Sequence, residues 1–181
     1  MKRIADRLKE KNIAEYLIYM WQVEDLLRAN NCDIDLIKKN VVAAFKLPEA
    51  ENTELVEWYD NLIGMMRAED VVEKGHLQIN KNVIIELSDL HVSLLSTTKY
   101  PYYHASYYKA LPFIVELRQK NGNKDESEIE TCFEAMYGVL LLRLQKKEIS
   151  ADTQKAIAAI SSFLSMLANF FEKDRKNELE W

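Results

Sequence analysis

The stretch Asn12-Ile-Ala-Glu-Tyr-Leu-Ile-Tyr-Met-Trp-Gln-Val-Glu-Asp-Leu-Leu-Arg-Ala-Asn30 decides the fold of this chain. It contains no glycine or proline, and its large apolar residues cover most of the circumference of a helical wheel. A helix that is apolar on so much of its surface is normally buried among other helices. One carboxylate interrupts the pattern, because Glu24 continues the row of Ile13, Leu17 and Met20 at helical spacing. The stretch therefore predicts a central helix with one acidic residue on an apolar face.

The composition predicts a single all-α domain over residues 1–181. The 181 residues are 48% hydrophobic and 29% charged, which is typical of a folded chain with a substantial core. Only 4 Gly and 3 Pro leave too few breakers for a many-stranded sheet with tight turns, so long helices are favoured. Because short loops favour antiparallel neighbours, we expect six or seven helices in a mostly antiparallel bundle, with the N-terminal helix central.

Capping residues and apolar spacing place the first four helices. We expect the first to run from about residue 4 to residues 30–31 and the fourth from about 79 to 97. The signals that bound the second and third helices are an N-cap at Asp33, a stop at Pro48, an N-cap at Asn52 or Thr53, and a stop at Gly75.

The segment 99–108 is the compositionally unusual part of the chain, because it holds five of the 9 tyrosines. We expect Pro101 to break the backbone and Ser106 to cap a fifth helix that Pro112 would kink. If that helix starts nearer Ala110 instead, the missing N–H of Pro112 costs little. Tyrosine clusters often mark contact surfaces, but they also fill gaps between helices. Both interpretations stay open for the interface candidates Tyr100, Tyr102, Tyr103, His104 and Tyr107.

The last two helices follow the predicted turn Asn121-Gly122-Asn123. A capping box begins the sixth helix, formed either by Asp125 with Glu128 or by Ser127 with Glu130. We expect that helix to continue to residue 147. The seventh begins at Ser150 or Asp152, and the charged tail at about 172–181 is expected to fray.

The run from Asn12 to Ala29 resembles the opening of an uncharacterised domain-of-unknown-function family of Bacteroidales bacteria. The similarity extends over nearly the whole chain. This resemblance implies a small all-helical cytoplasmic protein without an assigned activity, and it supplies no functional residues.

The net charge and the cysteine content indicate the cell compartment and exclude some kinds of partner. The formal net charge of −5 argues against a nucleic-acid-binding surface, which is normally basic. The two cysteines, Cys32 and Cys132, lie far apart, as is typical of a protein in a reducing cytoplasm. No apolar run approaches the roughly 18 residues needed to cross a bilayer. We therefore expect a cytoplasmic protein that binds neither nucleic acid nor membrane.

Four charged or titratable residues fall on otherwise apolar helix faces, namely Glu24, His91, Arg118 and Arg143. A buried carboxylate needs a positive or hydrogen-bonding partner. One interpretation is structural: an arginine pairs with Glu24 and sets the helix register, or the arginine stems extend to the surface. The other is a polar pocket for a small ligand, in which an arginine binds an anion and His91 or Glu24 transfers a proton.

Motifs for metals, cofactors and nucleophiles are missing. The single Glu-x-x-His match, Glu73-Lys-Gly-His76, contains Gly75 where a helix is expected to end, and no Cys or His pair has zinc spacing. No phosphate-binding or dinucleotide-binding glycine motif is present. We therefore predict no metal or cofactor, and a non-enzymatic interaction or regulatory module that forms a homo-oligomer or binds a protein partner. The alternative is the ligand-binding or catalytic pocket around Glu24, His91 and Arg118 or Arg143.

Overall fold

The computed structural model describes residues 1–121 and 126–181, apart from the side chain of residue 121. The described residues form eight α-helices and one short 3₁₀ helix, and none of them lies in a strand. The all-α class is confirmed. The helices are α1 (Lys2–Lys11), α2 (Ile13–Ala29), α3 (Ile34–Asn40), a 3₁₀ helix (Val42–Phe45), α4 (Glu49–Ala68), α5 (Gln78–Leu95), α6 (Pro101–Asn121), α7 (Glu128–Leu144) and α8 (Ala151–Arg175).

The helices divide into two compact units. The first unit comprises residues 1–11 and 15–82, and the second comprises residues 12–14 and 83–181. The first therefore contains α1, α3, α4 and nearly all of α2, whereas the second contains α6, α7, α8 and most of α5. The assignment of the whole chain to one domain stays a prediction.

The first predicted helix is in fact two helices. The prediction of one continuous helix was wrong. The side chain of Asn12 accepts a hydrogen bond from the backbone N–H of Ala14 (3.2 Å) and so replaces a helical bond. The expected burial is confirmed: Leu17, Met20 and Trp21 of α2 are 0–2% exposed. The apolar circumference thus belongs to α2 alone, and α1 is a separate, largely exposed helix.

The predicted boundaries of α3 and α4 are partly confirmed. Asp33 caps α3, since its carboxylate accepts hydrogen bonds from the N–H groups of Asp35 (2.8 Å) and Leu36 (3.3 Å). The caps expected at Asn52 or Thr53 were wrong, because α4 begins at Glu49, directly after Pro48. Proline fixes a backbone angle suited to a helix start, so the helix needs no later cap.

The expected stop at Gly75 was also wrong. Helix α4 ends at Ala68, and the chain then turns through Asp70 in the left-handed region (φ 55°). The turn is closed by a hydrogen bond from Val71 N–H to the Met66 carbonyl (2.9 Å). Gly75 (φ 88°) instead belongs to the loop that leads into α5.

In the second unit the tyrosine segment is helical rather than a loop. Helix α6 begins at Pro101, the position that tolerates proline best, and continues through Pro112. Helix α7 is capped by Ser127, whose hydroxyl accepts from Glu130 N–H (3.1 Å), so the second capping alternative is confirmed. The alternative at Asp125 lies outside the described residues, as does the predicted turn after residue 121.

The ends of the last two helices also differ from the expected ones. Helix α7 ends at Leu144, earlier than residue 147, whereas α8 is capped by Ser150 and extends to Arg175. Beyond α8 the chain terminus is held by its backbone: the Tyr100 hydroxyl bonds to Glu180, and Lys99 Nζ donates to the carbonyl of Trp181 (2.6 Å). Part of the tail is therefore bound within the second unit.

We predict that Asp33→Ala lowers the free energy of unfolding by about 1 kcal/mol, because the first turn of α3 loses its side-chain acceptor. Urea denaturation measures the change. Asp33→Asn is the matched control, since the amide oxygen keeps the acceptor. An equal loss in both variants would show that the cap is not what stabilises the helix.

Candidate functional site

The carboxylate of Glu24 is buried and fully engaged within the first unit. The residue is 1% exposed. Its Oε1 accepts hydrogen bonds from Leu77 N–H (2.9 Å) and from the side-chain amide of Asn80 (2.7 Å). Its Oε2 lies 2.6 Å from Nδ1 of His76, which donates to it. Three donors thus offset the cost of removing this carboxylate from water.

The position of these donors explains why an anion is tolerated there. Leu77 directly precedes α5, so Glu24 binds the N-terminal end of that helix, where unpaired N–H groups carry partial positive charge. Glu69 adds a second carboxylate, accepting from Gln78 N–H (2.6 Å). The start of α5 is therefore capped by acidic side chains from other parts of the unit.

Arg28, one helical turn after Glu24, binds the loop between α4 and α5. Its Nη2 donates to the carbonyls of Val71 (3.0 Å) and Gly75, and its Nη1 pairs with Asp25 (2.9 Å). Together, Glu24 and Arg28 attach the loop between α4 and α5 to helix α2.

The imidazole of His76 has a defined orientation. Its ring stacks on Trp21, with centroids 4.0 Å apart and planes 12° from parallel. Nδ1 is directed at the Glu24 carboxylate, which can only accept, so this nitrogen carries a proton. The side chain is 26% exposed. A carboxylate-oriented imidazole of this kind can transfer protons, but the same geometry also serves as a cap.

The structural interpretation of Glu24 is supported, with a different partner from the one expected. The arginine pairing was wrong: the hydrogen bonds of Glu24 go to His76, Leu77 and Asn80. For His76, the sequence indicates only a weak match to a metal-ligand motif with Glu73. The signal that pointed to it was its place just before a helix start, where a buried anion is favoured.

A second polar cluster lies in the second unit. His91 Nδ1 is 2.6 Å from the Tyr103 hydroxyl, and its Nε2 is 4.0 Å from Glu128. Tyr107 donates to Glu128 (2.7 Å), and Arg118 Nη1 lies 3.9 Å from the same carboxylate. Two of the predicted residues, His91 and Arg118, are thus brought together by Glu128, for which the sequence predicts only a capping role.

Burial sets the protonation states in this cluster. Desolvation lowers the pKa of His91 below its usual value, and the nearby Glu128 carboxylate opposes that effect. Desolvation also raises the pKa values of Tyr103, Tyr107 and Cys132. The neutral His91 ring therefore accepts from the Tyr103 hydroxyl, and the Cys132 thiol is held in its unreactive protonated form.

The remaining predicted residues are distributed over several environments. Arg143 is exposed on α7. A cavity of about 820 Å³ in the second unit is lined by none of Glu24, His91, Arg118 or Arg143. Tyr103 and Tyr107 are buried in the unit, and Tyr100 packs edge-on against Phe170. His104 Nε2 donates to the Leu94 carbonyl (3.0 Å).

The outward-facing tyrosines of α6 are Tyr102 (84% exposed) and Tyr108 (60% exposed). Tyr108 was not among the interface candidates. It belongs to a row of exposed residues at three- and four-residue spacing along α6, a signal that was readable once the segment is taken as helical.

Across the described residues, the fold is all-helical, and the buried Glu24 and His91 lie in two separate polar clusters. No group of three or more potential metal ligands occurs among them. None of their helices has both the length and the apolar character needed to cross a membrane. The chain belongs to the family described as Domain of unknown function (DUF4924), which matches residues 2–178. Comparisons with curated proteins and with solved structures gave no match.

We predict that Glu24→Leu destabilises the protein by about 3 kcal/mol or more, because it leaves Leu77 N–H and the Asn80 amide buried without an acceptor. Urea denaturation measures the loss. Glu24→Gln keeps an acceptor oxygen and should lose less. If the leucine variant unfolds at the midpoint of the wild type, the carboxylate has no structural role.

We also predict that His91 makes the protein less stable in mild acid. The unfolded state takes up a proton at the ordinary histidine pKa of about 6.5, whereas the folded state resists it until lower pH. The stability that neutral His91 contributes is therefore present above the ordinary pKa of about 6.5. It is lost as the pH falls from there through the lower pKa of the folded state. His91→Gln keeps an acceptor for Tyr103 and removes the titration.

Urea denaturation of wild type and His91→Gln at pH 7.5 and pH 5.5 tests this. The wild type should lose more stability than the variant between the two values, since the other two histidines are common to both. If the wild type and His91→Gln differ in free energy of unfolding by the same amount at both pH values, the prediction is contradicted.

Proposed function

We propose that the protein is a non-enzymatic helical interaction module that forms a homodimer through the exposed face of α6. The observation that carries this proposal is a row of exposed, mostly apolar residues spaced four, three, four and three apart. The row consists of Pro101, Ala105, Tyr108, Pro112 and Val115.

This spacing is the one by which a helix packs along a partner helix. Tyr108 is 60% and Val115 is 43% exposed, and Tyr102 stands beside the row at 84%. The row covers about 21 Å at 1.5 Å per residue. Large aromatic side chains held in solvent at such spacing are typical of contact surfaces.

The opposite face of α6 already has its partners. Tyr103, Tyr107, Ala110 and Ile114 are at most 8% exposed and form the core side of the helix. The exposed row therefore lies outside the buried core of the second unit. Its apolar area is available to a partner.

A second copy of this chain fits the row in an antiparallel arrangement. When Ala105 faces the partner's Tyr108, the two-fold symmetry also places Tyr108 opposite the partner's Ala105. A small residue then packs against a large one at both positions. The same register brings Lys109 next to the partner's Tyr102, where a cation can lie over the aromatic face. If the two α6 helices were shifted by one heptad, Lys109 would instead lie next to the partner's Lys109. Repulsion between the two ammonium groups would disfavour that register.

We also propose the wider arrangement expected from the sequence: a mostly antiparallel bundle in one domain, with α2 as its centre, in a protein of the cytoplasm. The near-complete burial of Leu17, Met20 and Trp21 supports the central position of α2. The formal net charge of −5 supports the absence of nucleic-acid binding.

We predict that Ala105→Glu prevents dimer formation without unfolding the protein. Glutamate is a good helix former, but it places a charge in the middle of the row. Size-exclusion chromatography with light scattering measures the mass as a function of concentration. The wild type should approach twice the 21.2 kDa of the chain, and the variant should stay at 21.2 kDa.

Ala158→Glu provides the matched control, since Ala158 is also an exposed alanine inside a helix of the second unit. It should dimerise as the wild type does, and far-ultraviolet circular dichroism should be the same for all three proteins. A wild type that is monomeric at every concentration would refute the proposal, as would equal masses for the two variants.

A further inference from the structure

A second surface of the second unit has the form of a binding site. A cavity of about 820 Å³ opens between α6, α7 and α8. Its walls are mainly apolar, with buried or half-buried side chains that include Phe113, Leu117, Val139, Leu142 and Ile157. This volume lies within the range of sites for small organic molecules.

Gly138, in the interior of α7, lines the cavity. A Cβ added at Gly138 would meet no atom within 4 Å, so packing within the described protein does not require a glycine there. Glycine inside a helix costs about 1 kcal/mol relative to alanine. The missing side chain instead leaves space for the close approach of another molecule to the helix.

The rim of the cavity carries charges of both signs. Lys120 is engaged, since its Nζ donates to Glu116 (2.6 Å). Asp152 lies in the first turn of α8, where the helix dipole stabilises its charge. Lys155 also lines the cavity and makes no hydrogen bond or ion pair with a carboxylate among the described residues. It is the cation that remains for a ligand.

We propose that this cavity binds a small molecule with an apolar body and one carboxylate, in which the body lies over Gly138 and the carboxylate pairs with Lys155. Apolar walls favour a hydrocarbon or aromatic body. An ammonium group at the rim favours an anionic end that stays near water. This inference is independent of dimerisation, because the lining residues are not those of the exposed row on α6.

Fluorescence titration of the full chain with 8-anilinonaphthalene-1-sulfonate, an apolar anion, tests the site. Decanoate and 1-decanol, which share a chain length and differ in charge, then compete for the bound dye. We expect saturable binding of one dye per chain, and stronger displacement by decanoate than by decanol. Absence of saturable binding, or equal displacement by the two competitors, would overturn the proposal.

Two substitutions localise the binding. Gly138→Phe places a ring in the cavity from a position where a Cβ meets no atom within 4 Å, and it should weaken dye binding by about tenfold or more. Gly64→Phe is the matched control, since Gly64 is also unobstructed but lies on α4 in the first unit. Lys155→Gln should remove the preference for decanoate over decanol. Equal dye affinity in the two phenylalanine variants, or an unchanged preference in Lys155→Gln, would refute the assignment.

Discussion

The buried carboxylate of Glu24 is the interaction on which the first unit depends. This side chain is 1% exposed, and three donors bind it, two of them at the start of α5. It ties α2 to a helix that begins more than fifty residues later in the chain. Without it, Arg28 alone would hold the loop between α4 and α5 to helix α2 through the carbonyls of Val71 and Gly75.

The two polar clusters resemble each other in chemistry but differ in consequence. In the first, a carboxylate orients an imidazole and caps a helix. In the second, a hydroxyl and a more distant carboxylate surround His91, and burial lowers its pKa. Both satisfy groups that would otherwise be costly to bury. The surfaces proposed for partners and ligands lie elsewhere, in the apolar row of α6 and in the cavity beside Gly138.

Signals that depend on neighbouring residues were readable from the sequence. Asp33 and Ser127 cap helices because their side chains reach N–H groups only two or three residues away. Other local signals had competing outcomes. Asn12 interrupted a helix that its neighbours favoured, and Pro101 began a helix that it was expected to prevent. In both cases the same residue type suits either role, so periodicity could not choose between them.

By itself, the sequence determined an all-helical protein, the burial of the apolar stretch from Asn12 to Asn30 and an acidic residue out of place on its apolar face. These follow from composition and from spacing within single segments. Only the tertiary structure decided that His76, Leu77 and Asn80 are the partners of Glu24, and that Glu128 rather than Glu24 joins His91 and Arg118. The physical reason is that such contacts depend on where a distant loop or helix start is placed, and no local pattern encodes that position.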